Sequence, residues 1–289
     1  MTTSEYSEEI QALRNEGLSF SQIAFKLSQK YQKEITKDSV QKIYKRRFPL
    51  KIETVFVTGD IHASPHPDLL AAIKVVNPDG IFFGGDMYDA QEYSRWPLDV
   101  NERRKSAELE TKTINEWLRT LPKEPWKKFI WGNHDKRILD IIPDNARWMV
   151  PEPLKFMIEG VENAEIVKMD VRTKTGEEIG ESSYLYYYKG VLFSHQNHSG
   201  YEKLLKWYQQ WRDVLGINAQ ALIQFHTHQL RMDFALGGQV FCAECGMGCK
   251  PAAEPYKVQY QGKWRPGTPG YIVLKFFGDE LVSSAAYRL

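Results

Sequence analysis

The chain has 289 residues, of which 42% are hydrophobic and 26% are charged, and its net charge is +1. This composition is typical of a globular protein with one large domain and an appendage or with two domains, and a net charge near zero gives no information about the charge of its partners. The sequence shows no apolar run of membrane-spanning length and no signal-peptide pattern, and its three cysteines argue against a disulfide framework, so we expect a cytoplasmic protein without membrane association.

Positive charge is concentrated at the N-terminus, where residues 1–51 carry a net charge of +4 against −3 for the rest of the chain. The hydrophobic pattern changes at the same point. It is helical throughout the first segment, whereas strand-like and helix-like runs alternate after residues 48–50. We therefore predict two domains, comprising residues 1–48 and 49–289.

The N-terminal segment has the pattern of three short helices. Ser19 and Gln22 have the spacing of a capping box at the start of the second helix, and the third helix follows Thr36. These helices resemble the homeodomain-like helix-turn-helix group of DNA-binding domains. The resemblance implies that DNA is a partner, contacted by the polar face of the third helix through Lys37, Gln41, Lys42, Lys45 and Arg46. The alternative is a small docking bundle whose lysines are only solvated.

Five short apolar runs follow, and each ends in Gly or in polar residues. They are residues 52–58, 80–83, 129–131, 191–193 and 221–225, with candidate helices at 68–76, 102–121 and 201–215. Such runs are typical of strands that are buried on both faces. Alternation of strands and helices predicts an α/β fold whose functional site lies at the carboxyl ends of the strands. Residues 270–289 have the pattern of a closing β-hairpin.

Potential metal ligands stand at the end of each of these five strands. Five of the seven histidines lie there, interleaved with two aspartates and an asparagine; the set is Asp60, His62, Asp86, Asn133, His134, His195, His226 and His228. Carboxylate, imidazole and amide groups without a thiolate are the ligands of a hard-to-borderline divalent metal. The set is larger than one ion needs and is sufficient for two ions that share a carboxylate.

The order of these motifs resembles the calcineurin-like metallophosphoesterase superfamily over residues 51 to about 230. The resemblance implies a four-layer fold, in which helices flank a two-sheet β-sandwich, and a dinuclear metal centre. It implies that Asp60, His62 and His228 hold one ion. It implies that Asn133, His195 and His226 hold the other, with Asp86 bridging the two. His134 would face the substrate as a cationic donor or general acid, with Asp89 or Asp135 orienting its imidazole.

Several positions depart from the family pattern or stand outside it. Phe225 replaces the glycine that precedes the last histidine pair, so the strand end must be accommodated differently. Ala90 and Gln91 follow Asp89 where phosphoprotein phosphatases have Arg-Gly, which argues against that subfamily. His198 is a second candidate for the ligand position that we assign to His195.

The three cysteines stand close together in the sequence. We expect Cys242, Cys245 and Cys249 to be reduced thiols rather than zinc ligands, because a structural zinc site needs four ligands and the sequence offers only these three thiolates.

Three functional hypotheses follow. The first is a dinuclear-metal phosphodiesterase or nuclease that acts on DNA delivered by the N-terminal helices. The second is a hydrolase of small phosphoesters, such as nucleotides or cyclic nucleotides, and the third is an inactive DNA-binding scaffold. A DNA-type module joined to a phosphoester site is similar to phage-encoded phosphoesterases, which would lie in the host cytoplasm. We expect Mn²⁺, although the same ligands also bind Fe, Zn or Ni; the sequence indicates no oligomeric state.

Overall fold

The computed structural model describes residues 3–15, 18–47, 51–89, 107–140, 153–196, 200–250 and 267–289. The chain divides into two compact units, Met1–Ile52 and Glu53–Leu289. Among the described residues, no helix has both the length and the apolar character needed to cross a membrane.

The first unit consists of α1 (Thr3–Asn15), α2 (Phe20–Tyr31) and α3 (Lys37–Arg47). The predicted capping box is present: the Ser19 hydroxyl accepts from the backbone N–H of Gln22, and the Gln22 side chain accepts from that of Ser19. These bonds satisfy backbone donors that the first turn of a helix leaves unpaired. One apolar core joins the three helices, formed by Ile10, Ile23, Ala24, Leu27 and Val40.

The second unit contains thirteen named strands and five helices within its described residues. In chain order they are β1 (Ile52–Thr58), α4 (Leu69–Val76), β2 (Gly80–Phe83), α5 (Ala107–Leu118), β3 (Trp126–Phe129), α6 (Asn133–Asp140), α7 (Pro153–Met157), β4 (Ala164–Ile166), β5 (Met169–Arg172), β6 (Glu178–Ser182), β7 (Leu185–Tyr188), β8 (Val191–Ser194), α8 (Tyr201–Leu215), β9 (Ala221–Gln224), β10 (Leu230–Ala235), β11 (Val240–Cys245), β12 (Gly270–Phe277) and β13 (Glu280–Arg288).

Two large sheets pack face to face. One has the strand order β13-β12-β1-β2-β3-β4 and the other β10-β11-β9-β8-β7, while β5 and β6 form a separate pair. Val57, Phe82, Phe193 and Ile223 lie in the core between the two large sheets. The strands β1, β2 and β3 run parallel, as do β8, β9 and β11, so their carboxyl ends lie at one edge of each sheet.

Helices cover the outer face of each large sheet. Ile73 of α4 and Ile114 of α5 share a core with Phe83 of the first sheet. Leu204 of α8 shares another with Leu222 of the second sheet. The order helix, sheet, sheet, helix confirms the predicted four-layer α/β fold, and the antiparallel pairing of β12 with β13 confirms the predicted closing hairpin.

The third strand begins and ends earlier than the pattern predicts. β3 spans Trp126–Phe129 because its register with β2 pairs Gly80 with Trp126 and Phe83 with Phe129. The apolar residues Ile130 and Trp131 belong to the loop that follows. The sequence pattern missed Lys127, which is buried in this strand because its ammonium donates to the carbonyls of Pro125 and Glu162.

Candidate metal centre

The ligand residues lie on loops that follow β1, β2, β3, β8 and β9, and backbone hydrogen bonds join the first two loops. The N–H of Asp60 donates to Gly85, and the N–H of His62 donates to Asp86, each at 2.9 Å. Five ligand residues have φ between 47° and 79°, namely Asp60, His62, Asp86, His226 and His228. This left-handed conformation costs a residue other than glycine about 1–3 kcal/mol. The loops are therefore held in a strained conformation that brings the ligand side chains together.

The first ligand group consists of Asp60, His62, Asp86 and His228, whose ligand atoms all lie within 4.8 Å of one another. Nε2 of His228 lies 3.2 Å from Oδ1 of Asp60 and 3.2 Å from Nε2 of His62. Nε2 of His62 lies 4.0 Å from Oδ2 of Asp86. All four residues are buried. The structure thus brings together the three ligands predicted for one ion and the aspartate predicted to bridge.

The second group consists of Asp86, His195 and His226, with the side-chain oxygen of Asn133 beside them. Nε2 of His195 lies 3.1 Å from Oδ2 of Asp86 and 3.3 Å from Oδ1 of Asn133. The Asn133 oxygen also lies 2.7 Å from Nδ1 of His226. Nδ1 of His195 contacts the backbone carbonyl of Gly84, which directs Nε2 toward the group. These residues are the ones predicted for the second ion.

Asp86 is common to both groups, and its two oxygens have different surroundings. Oδ1 accepts the backbone N–H of His134 at 2.8 Å. Oδ2 of Asp86 and Oδ1 of Asp60 are buried, and the imidazole nitrogens of His195 and His228 lie 3.1 and 3.2 Å from them without the geometry of a hydrogen bond. A buried carboxylate oxygen without a donor is costly unless a cation compensates its charge. The donor set therefore fits divalent cations at this position.

Charge interactions within the cluster keep its carboxylates ionised. Burial raises the pKa of Asp60, but His228 and His195 outweigh burial and lower it to about 2. Burial likewise opposes the ionisation of Asp86, and the neighbouring histidines, His195 foremost, bring its pKa well below the usual range. Burial and the charge of His195 lower the pKa of His226 to about 4. At neutral pH the carboxylates are ionised and His226 is neutral, which are the forms that bind metal ions. Burial lowers the pKa of His195, but the charges of Asp86 and Asp60 outweigh burial and raise this pKa to about 9, so a cation that binds there must displace a proton from His195.

His134 lies beside the two groups, on the first turn of α6. Its Nδ1 is 2.7 Å from the backbone carbonyl of Asp89 and 3.3 Å from Oδ1 of the same residue. That oxygen is also 3.4 Å from Nδ1 of His62. The Asp89 carboxylate therefore lies between two imidazoles, in the position of a carboxylate behind a ligating histidine.

Asp135 has a different role from the one expected. Its carboxylate accepts the backbone N–H of Tyr88 at 3.0 Å and that of Gly132 at 2.8 Å. Asp135 thus ties the loop after β2 to the loop after β3. Of the two carboxylates expected to orient the imidazole of His134, the structure places only Asp89 against it.

Arg137 is a site residue that the sequence reasoning missed. Its guanidinium donates to the carbonyl of Asp89 at 2.9 Å and lies 2.8 Å from Nε2 of His134. The available signal was its position on a helix that begins at the ligand motif, three residues after His134 and hence on the same face.

The remaining candidate residues vary in their environment. Lys37 and Lys42 of α3 are exposed and Gln41 is partly buried, whereas the side chains of Lys45 and Arg46 lie outside the described part of α3. His198, Ala90 and Gln91 also lie outside the described residues. Cys242 and Cys245 are buried in different cores, and within the described residues no group of metal-ligating atoms includes a cysteine.

Phe225 is accommodated by two glycines on neighbouring loops. A Cβ atom built on Gly84 would lie 2.2 Å from the Phe225 ring, and one on Gly59 would lie 2.8 Å from it. The ring also stacks with that of Phe82, at a centroid distance of 6.3 Å. The departure from the family glycine is therefore possible because Gly59 and Gly84 leave room for the ring.

We expect Gly84→Ala to destabilise the second unit by about 1–3 kcal/mol, because the new methyl group would overlap a buried ring that cannot move away. Urea unfolding of Gly84→Ala, Phe225→Leu and the double variant measures the coupling. The smaller leucine should restore part of the stability in the double variant. Additive losses would show that the ring does not limit position 84.

Two adjacent Asp/His ligand groups at the strand ends of a two-sheet sandwich suit a metal-dependent hydrolase. The family model described as calcineurin-like phosphoesterase matches residues 53–238, so the chain belongs to the calcineurin-like phosphoesterase family. This membership confirms the resemblance inferred from the motifs. It supports phosphoester hydrolysis as the activity, with metal ions held by the Asp/His cluster.

Comparison with solved structures gives distant similarities. The chain is similar to a metallophosphoesterase from Sphaerobacter thermophilus, with a TM-score of 0.42 and 12% identity, covering 83% of this chain and 88% of that one. It is also similar to a novel archaeal phosphodiesterase, with a TM-score of 0.40 and 12% identity over 81% and 99% of the two chains. For the phosphoesterase YfcE from E. coli the TM-score is 0.36 and the identity 13%, over 80% and 98%. No match was found among curated proteins.

Proposed function

We propose that the protein is a dinuclear-metal phosphodiesterase or nuclease that cleaves DNA, and that Mn²⁺ is the metal it uses. The observation that carries this proposal is the pair of ligand groups that share Asp86. Ligand sets of this chemistry also bind Fe, Zn or Ni. The complete ligand set argues against the inactive scaffold, because a decayed site would lack members of the set.

Each residue of the centre has a proposed role. Asp60, His62 and His228 hold one cation, and Asn133, His195 and His226 hold the other, with Asp86 shared. When bound, the two cations supply Lewis-acid activation of the phosphoryl group and of a water molecule. His134 lies beside the substrate position, where it acts on the leaving oxygen directly or through the groups that it contacts, and Asp89 contacts its ring.

The proposal of DNA as substrate rests on the first unit. Lys37 and Lys42 are exposed on α3, and Val40 of the same helix is buried in the core. A helix with one buried face and one basic face is suited to contact DNA phosphates. The location of the protein in the cytoplasm, or in a host cytoplasm, follows from this function as part of the same proposal.

Activity on a panel of substrates tests the proposal. The full chain with Mn²⁺ is assayed on supercoiled plasmid DNA, a cyclic dinucleotide, a bis-aryl phosphodiester and an aryl phosphomonoester. We expect nicked or linear plasmid together with bis-aryl diester turnover. Turnover confined to the small phosphoesters would assign the protein to the alternative class, in which the N-terminal helices serve assembly. Absence of all turnover would contradict both.

Replacing Lys37 and Lys42 with alanine should flatten the salt dependence of DNA binding. Each lysine–phosphate contact releases condensed counterions, so the slope of log K against log salt should become less negative by about 2 if each lysine makes one contact. DNA affinity measured by fluorescence anisotropy at several salt concentrations gives the slope. Hydrolysis of the bis-aryl diester should stay at the wild-type rate.

A matched control for the charge change is the double variant Lys74→Ala/Lys206→Ala, which removes two exposed lysines from α4 and α8 of the second unit. For this control, the slope of log K against log salt should equal that of the wild-type protein. Equal slopes for wild type and the α3 variant would indicate that the helices are a docking bundle.

A further inference from the structure

Arg137 occupies a specific position at the edge of the metal centre. Its two terminal nitrogens are both engaged: Nη1 donates to the carbonyl of Asp89 at 2.9 Å, and Nη2 lies 2.8 Å from Nε2 of His134. Two contacts from one planar group fix its orientation as well as its position. Nε2 of His134 is in turn 4.0 Å from Oδ2 of Asp86, the aspartate common to both ligand groups. The guanidinium is therefore connected through His134 to the edge of the ligand groups that contain Asp86.

The hydrogen bonds define which atoms of His134 carry protons. A guanidinium has only donors, so the contact with Arg137 requires Nε2 of His134 to accept. Nδ1 of His134 then carries the proton and donates to the carbonyl of Asp89, 2.7 Å away. As a result, Nε2 of His134 is an acceptor, and the N–H groups on this side of the imidazole belong to Arg137.

The Arg137 guanidinium also has N–H donors beyond those that contact Asp89 and His134. Two of its N–H groups make the contacts above, and the described residues accept none of the others. Its side chain is partly exposed, whereas His134 and Asp89 are buried. A guanidinium that is anchored on one side and open on the other matches the geometry with which arginine binds phosphoryl oxygens.

We propose that Arg137 binds a phosphoryl oxygen of the substrate, anchored by Nε2 of His134 and the carbonyl of Asp89. Its fixed positive charge, next to His134, stabilises the charge that develops on the phosphoester during hydrolysis. His134 then acts in part as a positioning residue for Arg137. The proposal rests on phosphoester hydrolysis as the activity, and it applies to DNA and to small phosphoesters alike.

Binding of inorganic phosphate to the Mn²⁺-loaded full-length protein tests this role without turnover. We expect Arg137→Gln to weaken phosphate binding about 10- to 100-fold by calorimetry, because an ionic hydrogen bond is lost. Manganese content by mass spectrometry should stay at the wild-type value. Arg137→Lys should lie between, because lysine keeps the charge but cannot make both anchoring contacts.

Lys136→Gln is the matched control, since it removes a positive charge from the adjacent position of α6. The Lys136 ammonium lies 4.1 Å from the centre of the Tyr184 ring, and we expect its loss to leave phosphate affinity unchanged. Guanidinium added to an Arg137→Ala variant should restore part of the bis-aryl diester turnover. If Arg137 had only a structural role, added guanidinium would not restore turnover.

Three results would overturn the proposal. They are wild-type phosphate affinity in Arg137→Gln, an equal loss in Lys136→Gln, and loss of manganese in Arg137→Gln, which would mean that Arg137 only supports the ligand loops through Asp89. Failure of the wild-type protein to hydrolyse any phosphoester would instead contradict the proposed function, and this result is obtained before any variant is made.

Discussion

Replacing Asp86 with asparagine should remove nearly all bound metal from the protein and abolish hydrolysis. Oδ2 of Asp86 is buried, accepts no hydrogen bond from the described residues, and faces both ligand groups. An amide in its place supplies neither the negative charge nor the second carboxylate oxygen that the proposed pair of cations would share. The fold should survive, because the amide oxygen can still accept the backbone N–H of His134. Manganese per chain, measured by mass spectrometry after loading and desalting, should fall close to zero.

His62→Gln is the informative comparison, because His62 belongs to only one of the two ligand groups that contain Asp86. It should lose about half as much metal as Asp86→Asn. Asp68→Asn serves as the control for a lost carboxylate, since the Asp68 side chain is 73% exposed. Equal metal loss in Asp86→Asn and His62→Gln would count against the shared role of Asp86.

Replacing His134 with alanine should lower turnover by roughly 10²–10⁴ while leaving the metal content unchanged. The side chain of His134 lies outside the two ligand groups that contain Asp86. The backbone N–H that it gives to Asp86 is kept in the variant. Turnover of a bis-aryl phosphodiester and manganese content are measured on the same preparation.

The contrary outcome for His134→Ala is also informative. His134, His62 and Asp89 form a further cluster of ligand atoms within 4.8 Å of one another. Loss of a cation from the variant would assign His134 to the metal centre through that cluster and not to the substrate.

The sequence predicted the location of the site well, because the ligands interrupt apolar strands at their carboxyl ends. The apolar run at residues 80–83 predicts a buried strand, which the structure shows as β2, and Asp86 follows that strand at the sheet edge. The same reasoning predicted the wrong bounds for β3. Ile130 and Trp131 continue the apolar pattern into a buried loop, and the charged residue Lys127 does not look like part of a buried strand.

What the sequence could not predict depends on contacts between distant segments. Asp135 follows His134 directly, yet its carboxylate accepts the backbone N–H of Tyr88 on another loop. The room for Phe225 comes from Gly59 and Gly84, which are far away in the chain. Periodicity assigns residues to a face of a strand or helix but does not show which neighbour that face meets. The capping box at Ser19 was predictable because both its partners lie within four residues.

The left-handed backbone at five ligand positions lowers the stability of this protein, although the metal centre requires the residues at these positions. Each such residue costs about 1–3 kcal/mol relative to one in an allowed conformation, and glycine at the same position would avoid the cost. Replacing one of these aspartates or histidines by glycine would relax the loop but would also delete a ligand. A screen for thermostable variants would therefore favour sequences that dismantle the metal centre, unless metal binding or catalysis is selected at the same time.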